Sequence, residues 1–302
     1  VSLIKGIAAA FKSRGYKVGG FTAYLSSDVT SGAGLSSSAC FEVLIGTILS
    51  YLYNNGCVSG IEIAQIGQYA ENVYFGKPCG LMDQTACSLG GLVYIDFKNP
   101  DEPMVKQLSG NPVKEGYSLC ITDTGSSHAE LTDEYAFITK EMSKIAGFFG
   151  KEVLAQINEE DFYSSIKKLR EEFGDRAVLR SIHFLEENKR VDIAADALSE
   201  ENINLFLQQI EASGKSSFQY LQNVYSHKDV KNQGLSLALA ISDTCLKENG
   251  VCRVHGGGFA GTIQAFVREE YVKKYREKIE SVFGENTCKV LHIRAVGGTK
   301  VF

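Results

Sequence analysis

The sequence has no apolar run of membrane-spanning length and shows no secretory signal pattern, and it begins at Val1 rather than Met. It has no excess of positive charge either: 31 Lys and Arg stand against 36 Asp and Glu, a formal charge of −5. That balance argues against a nucleic acid or an anionic membrane as the main partner. None of the eight cysteines forms a Cys-x-x-Cys pair, and the five histidines form no His-Glu-x-x-His, so a protein-ligated zinc site is not expected. Cys40, Cys120 and Cys245 instead lie inside apolar stretches, as small hydrophobes of a reduced, cytoplasmic protein do. There is no internal repeat and no low-complexity linker. Neither the Walker nor the dinucleotide glycine pattern is present.

What is present centres on Gly32-Ala33-Gly34-Leu35-Ser36-Ser37-Ser38-Ala39, followed by an apolar stretch from Phe41 to Leu52. Ser36 or Ser37 is placed to cap a helix that continues through Val43, Leu44, Ile45, Ile48, Leu49 and Leu52 at helical spacing. A glycine-rich loop entering a helix leaves backbone N–H groups unpaired and pointing one way, and the helix dipole adds positive potential there. Such a place suits a phosphate. An ordinary glycine loop capped by serine fits the same residues.

Elsewhere the periodicity predicts a helix over Val1 to Arg14 ended by Gly15, and a strand over Gly20 to Leu25. Ser59-Gly60-Ile61-Glu62 is a capping box opening a helix that closes near Gly76, with Glu71 in its last turns. A carboxylate near a helix C-terminus is electrostatically unfavourable, which suggests a nearby cation, although a solvated surface glutamate is the plainer reading. Leu81-Met82-Asp83-Gln84 opens a short helix ending at Gly90-Gly91; Asp83 in a first turn is also read as simple helix stabilisation. Strands are expected at Leu92 to Phe97, near Val105 and at Tyr117 to Thr122. Helices follow at Tyr135 to Phe149, Phe162 to Phe173, Ala177 to Glu187, Val191 to Leu198, Leu205 to Ile210 and Leu235 to Leu246. A strand over Cys252 to His255, a glycine cluster Gly256-Gly257-Gly258-Phe259-Ala260-Gly261, a strand from Thr262 to Val267, a helix from Glu269 to Phe283 and a strand from Cys288 to Val296 complete the chain. The pattern is α+β, with a composition boundary near Gly125 dividing residues 1–125 from 126–302.

Gly-x-Gly-Leu-Ser-Ser-Ser-Ala resembles the phosphate loop of the GHMP kinases, galactokinases in particular. Glu71 to Gln84 and Arg253 to Gly261 are similar to two further galactokinase stretches in the same order. The resemblance implies a two-domain GHMP-kinase-like fold, an N-terminal ATP-phosphate-binding domain within 1–125 and a C-terminal domain with a helical insertion within 126–302. It implies transfer of the γ-phosphoryl of ATP to the anomeric hydroxyl of galactose, with ATP and Mg²⁺ as cofactors. By the same resemblance Gly32, Gly34, Leu35, Ser36, Ser37, Ser38 and Ala39 hold the ATP phosphates, and Ser38 and Glu71 hold Mg²⁺. Asp83 is the base, while Gly80, Asp83 and Tyr135 meet the sugar. Arg253, Gly256, Gly257 and Gly258 belong to the third-motif loop.

Two residues depart from that loop's pattern: His255 stands for a threonine and Ala260 for a glycine. Nothing similar to the family's first motif, Gly-Arg-x-Asn-Leu-Ile-Gly-Glu-His, occurs. The resemblance therefore implies a C-terminal piece that is not a working kinase alone, with a sheet edge at Gly20 to Leu25 open to pairing with another chain. Other readings of the same motifs are a kinase for another sugar such as N-acetylgalactosamine, a mevalonate kinase, and a sensor that binds sugar and ATP without turnover. An interaction module would leave three glycine-rich motifs unexplained.

Overall fold

The computed structural model describes residues 2–27, 29, 36–77, 79–99, 102–125 and 132–301, with Lys114 and Thr132 described by backbone alone. The chain divides into two compact units.

The first unit comprises Val1–Ile95, Val105–Leu108 and Ile293–Phe302. Its helices are α1 (Ser2–Ser13), α2 (Ser37–Tyr53), α3 (Gly60–Tyr69) and α4 (Met82–Leu89), and β1 (Leu92–Asp96) pairs with β2 (Met104–Leu108). Ile7 and Phe11 of α1, Val43, Ile45 and Leu49 of α2, and Ile63 and Ile66 of α3 form its apolar core. These residues recur every three to four positions, so one face of each helix is buried and burial, more than propensity, stabilises the helices. The capping box forms as expected: the Ser59 hydroxyl accepts from the Glu62 N–H while the Glu62 carboxylate accepts from the Ser59 N–H.

Three expectations change here. Gly20 to Leu25 forms no strand: among the described residues no strand lies beside it to take its backbone hydrogen bonds, and Tyr24 is almost fully exposed. The sheet edge expected there is therefore absent. The helix opened by the capping box does not run unbroken to Gly76 but widens into a π-helical turn over Ala70–Phe75. Finally, Glu71 is not solvated; it is buried.

The second unit comprises Asp96–Met104 and Ser109–His292. Its antiparallel sheet has the order β4 (Gly250–Val254), β5 (Thr262–Arg268), β3 (Tyr117–Asp123), β6 (Cys288–Leu291). Cys252 lies opposite Ala265, Cys120 opposite Ala265 on the other side, and Leu119 opposite Leu291. The composition boundary near Gly125 thus falls inside this unit, because β3 finds its hydrogen-bond partners only in the last fifty residues. β6 ends at Leu291, short of the expected Val296.

The helices of this unit are α5 (Thr132–Phe148), α6 (Glu159–Ser164), α7 (Ile166–Phe173), α8 (Asp175–Ser199), α9 (Ile203–Ser216), α10 (Gly234–Leu246) and α11 (Val272–Phe283). Two helices expected over Ala177 to Leu198 are one, α8. The polar run Glu186 to Arg190 contains no breaker, and Lys189–Glu186 and Arg190–Glu187 pair across one turn. Conversely the single helix expected over Phe162 to Phe173 is two, broken at Ser165. Ile145, Phe162, Leu169, Val178 and Leu185 pack as one core cluster; Cys120, Leu246, Val267, Tyr275 and Ile279 form another against the sheet. Among the described residues no helix is long and apolar enough to cross a membrane.

Candidate active site

The sequence-predicted residues fall into two groups, one in each unit. In the first unit, Gly32, Gly34 and Leu35 lie outside the described residues, and the site begins at Ser36. Ser36 immediately precedes α2, but its side chain does not cap the helix, contrary to expectation. Its backbone is left-handed (φ 55°, ψ 44°), which turns the hydroxyl away from the first-turn N–H groups. The Ser36 hydroxyl instead donates to Oδ2 of Asp83 at 2.6 Å. Asp83 is carried there by the first turn of α4, where a negative charge is favoured by the helix dipole. Ser37 and Ser38 form the first turn of α2, and Ala39 is buried beneath it. Gly80 has open space where a Cβ would stand.

Two turns of chain away in sequence, yet adjacent in space, Glu71 is only 2% exposed. Its Oε1 accepts from Lys77 Nζ at 3.0 Å and its Oε2 from the Gln84 side-chain amide at 3.1 Å. The Ser38 hydroxyl and the Cys79 thiol lie near enough to favour the charged form of this carboxylate. Burial pushes the Glu71 carboxyl up, but the bond from Lys77, the nearby Cys79 and Ser38, and the Lys77 charge outweigh it and hold the group below its ordinary value. The cation suggested by a carboxylate at a helix end is thus supplied, in this structure, by Lys77.

The same Gln84 amide donates a second bond, at 3.0 Å, to Oε2 of Glu42. Glu42 projects from α2 and is fully buried. Burial and, against the relief from Gln84, repulsion by Glu71 push its carboxyl up to about 7. Gly67 of α3 makes room for this arrangement: a Cβ there would stand 3.2 Å from the Glu42 carboxylate and 3.3 Å from Gln84. Cys79 is pushed up to about 12 by its burial and by the nearby Glu71 carboxylate, so it is a neutral thiol rather than a nucleophile.

In the second unit, the Tyr135 hydroxyl donates to the Gly258 carbonyl at 2.5 Å and its ring packs edge-on against Phe259 at 5.4 Å. Burial pushes the Tyr135 phenol up to about 12. Tyr135 and the third-motif glycines, 123 residues apart, are therefore one substructure. Gly258 has φ +82°, and a Cβ on it would stand 2.0 Å from the Asn223 carbonyl oxygen, so no other residue fits there. Asn223 also donates its side-chain amide to the Gly257 carbonyl at 3.0 Å. Arg253 does not reach into the Gly256–Gly258 turn with its guanidinium. It is held by the Ser213 hydroxyl at 2.5 Å and by Glu187 at 3.5 Å. Of the two departures, His255 is paired with Gln264 across the strands at 2.9 Å. Ala260 is not among the residues with positive φ, whereas Phe259 before it (φ 58°) and Gly261 after it are. The alanine is accordingly without backbone cost.

A family model for the GHMP kinases N-terminal domain matches residues 2–91. The chain is 31% identical over 266 residues to a galactokinase of Glaesserella parasuis, covering 87% of this chain and 65% of that protein. A galactokinase of Streptomyces coelicolor is 29% identical over 282 residues, covering 92% of this chain and 69% of its own. The fold matches the crystal structure of Lactococcus lactis galactokinase complexed with galactose, with a TM-score of 0.76, 24% identity, and coverage of 99% of this chain and 76% of that one.

Residues 2–91 are thus similar to the GHMP kinases, and the chain as a whole is similar to galactokinases. It spans 65% of the length of the Glaesserella galactokinase.

Sequence reasoning passed over Glu42, Lys77, Cys79, Gln84 and Asn223. A signal existed for Glu42: it is the one carboxylate inside the apolar stretch Phe41 to Leu52, on the buried face with Ala39, Ile45 and Leu49. Nothing local marks Asn223.

The residues present fit a magnesium ion. Ser38 and Glu71 offer oxygen atoms, and the Lys77 ammonium now at Oε1 of Glu71 occupies the position a cation would take. Magnesium takes one or two carboxylates and completes its octahedron with nucleotide phosphates and water.

Proposed function

We propose that the full-length parent of this chain transfers the γ-phosphoryl group of ATP to the anomeric hydroxyl of galactose, the chain alone being inactive, and that the parent is the protein to assay. The observation that carries this reading is that the start of α2 is tied to one acid and lies near a second. Ser36 bonds Asp83 at 2.6 Å, and Ser38 is close enough to Glu71 to favour its charged form. A proton acceptor and a metal carboxylate are thereby held beside the same helix start.

In this reading the N–H groups of Gly32 to Ala39 at the start of α2 bind the ATP phosphates. Ser38 and Glu71 hold Mg²⁺, which neutralises phosphate charge when bound. Asp83 accepts the sugar hydroxyl proton as that oxygen attacks phosphorus. Gly80, open at its Cα, lets the sugar approach; Tyr135 and the Arg253, Gly256, Gly257 and Gly258 segment, all in the second unit, are assigned to substrate by the resemblance. The first unit then acts mainly as the nucleotide-phosphate domain, in a cytoplasmic protein. The curated relatives carry the name galactokinase, which supports galactose over mevalonate or N-acetylgalactosamine.

The test is ADP release with ATP and Mg²⁺ in the presence of galactose, N-acetylgalactosamine or mevalonate. Galactose-dependent release that disappears in Asp83→Asn is the expected result. Release with another of these acceptors and none with galactose overturns the proposed substrate.

A further inference from the structure

We infer that Gln84, itself oriented by Glu42, is a positioning residue that presents the Glu71 carboxylate to the divalent cation. The inference rests on the proposed reading of Glu71 as the metal carboxylate. The two oxygens of Glu71 are held in different ways. Oε1 is held by Lys77, whose side chain is 61% exposed and free to swing into solvent. Oε2 is held by Gln84, which is 1% exposed and packed in α4. A cation arriving at Oε1 can therefore replace one ammonium group while the amide bond at Oε2 stays in place.

Glu42 decides which way that amide faces. A primary amide has two N–H donors on one side and a carbonyl oxygen on the other. Placed between two carboxylates, the Gln84 amide satisfies both only by giving one N–H to each, as it does at 3.0 and 3.1 Å. Without the Glu42 acceptor, the amide is free to turn its carbonyl toward Glu71 and repel it. The arrangement has a local cost: Oε1 of Glu42 and Oε1 of Gln84 are both buried without a hydrogen-bond partner. Buried acceptors left unpaired call for a functional explanation, and a fixed amide orientation is one. Because Gln84 directly follows Asp83, the proposed base and the amide that holds the metal carboxylate share the first turn of α4. Their relative placement is set by one rigid element.

The experiment measures Mn²⁺ affinity by electron paramagnetic resonance in the presence of a non-hydrolysable ATP analogue, on the full chain and its variants. Gln84→Met keeps the volume and removes both donors. It should weaken Mn²⁺ binding about tenfold or more, the usual effect of losing a group that orients a metal ligand. Nucleotide affinity without metal should change less than about twofold, since no phosphate contact is removed. Glu42→Leu should weaken Mn²⁺ in the same direction, whereas Glu42→Gln, whose side-chain carbonyl still accepts the Gln84 N–H, should restore it to near wild type. If Gln84→Met fails to fold in a thermal melt, the contrast between Glu42→Leu and Glu42→Gln decides alone. Equal affinities in those two variants overturn the inference. If Glu71→Gln abolishes Mn²⁺ binding but Gln84→Met matches wild type, the inference fails and the metal reading stands. If Glu71→Gln binds Mn²⁺ like wild type, the metal reading fails and takes the inference with it.

Discussion

Asp83 is held by the Ser36 hydroxyl just before α2 and sits in a helix first turn, so its position is fixed from two sides. Replacing it with asparagine preserves shape and removes the proton acceptor. Asp83→Asn is expected to lower kcat by about a hundredfold or more, the range of general-base effects, with ATP affinity nearly unchanged; a turnover assay beside calorimetric ATP titration checks both. Glu42 carries a second prediction. Its carboxyl is raised to about 7 by burial, with Glu71 and Asp83 raising it and Gln84 and Lys77 opposing. The folded chain therefore holds this proton more tightly than the unfolded chain. The resulting stability is fully present below the ordinary carboxylate value and is lost as pH rises through about 7. Between pH 5 and pH 8 this group should account for about 2–3 kcal/mol of lost stability. Urea unfolding should show a flatter pH dependence in Glu42→Gln than in wild type; equal slopes in the two proteins would remove Glu42 as the source. These assignments were only half legible beforehand. Asp83 and Glu71 stand out by motif. Glu42 and Gln84 acquire meaning only where α2, α4 and the π-helical turn converge, because hydrogen bonding across 42 residues leaves no trace in local spacing.

Two of the elements that deviate from sequence expectation carry residues of the proposed site. Helix propensity alone continues the capping-box helix through Glu71, but the chain widens at Ala70–Phe75, as π-helical turns do at functional positions. The wider turn brings the Glu71 side chain inward rather than onto the surface. The third-motif turn is constrained more tightly still, since Gly258 meets both a positive φ and the Asn223 carbonyl. Gly258→Ala should cost about 2 kcal/mol or more, from left-handed backbone strain together with overpacking. Ala260→Gly, which restores the family glycine at a position without positive φ, should instead destabilise by about 0.4–1 kcal/mol through the added freedom of the unfolded chain. Thermal melts of the two variants check the contrast. Stabilisation by Ala260→Gly would mean that the alanine is strained after all.

At the scale of the molecule, each unit has its own apolar core, with Phe11 fully buried in one and Phe162 fully buried in the other. Truncating either to alanine should cost about 3–5 kcal/mol. Native-state hydrogen exchange should report the loss chiefly in the unit that carries the change; equal loss of protection in both units after Phe11→Ala would show a single cooperative block. The sequence by itself determined the α+β class, most helices, the capping box and the order of the glycine-rich motifs. Those rest on local periodicity, backbone permissiveness and short-range capping, all written within a few residues. It did not determine which strands pair. β3 finds its neighbours about 140 and 170 residues later, and the segment from Gly20 to Leu25, strand-like in composition, has no strand partner among the described residues and stays irregular. Nor did it determine that Arg253 would be held by Glu187 and Ser213, or that Glu71 would be buried with Lys77 and Gln84. Those outcomes were left to tertiary packing, because the energy of a buried polar group depends on the partners that remote segments bring to it.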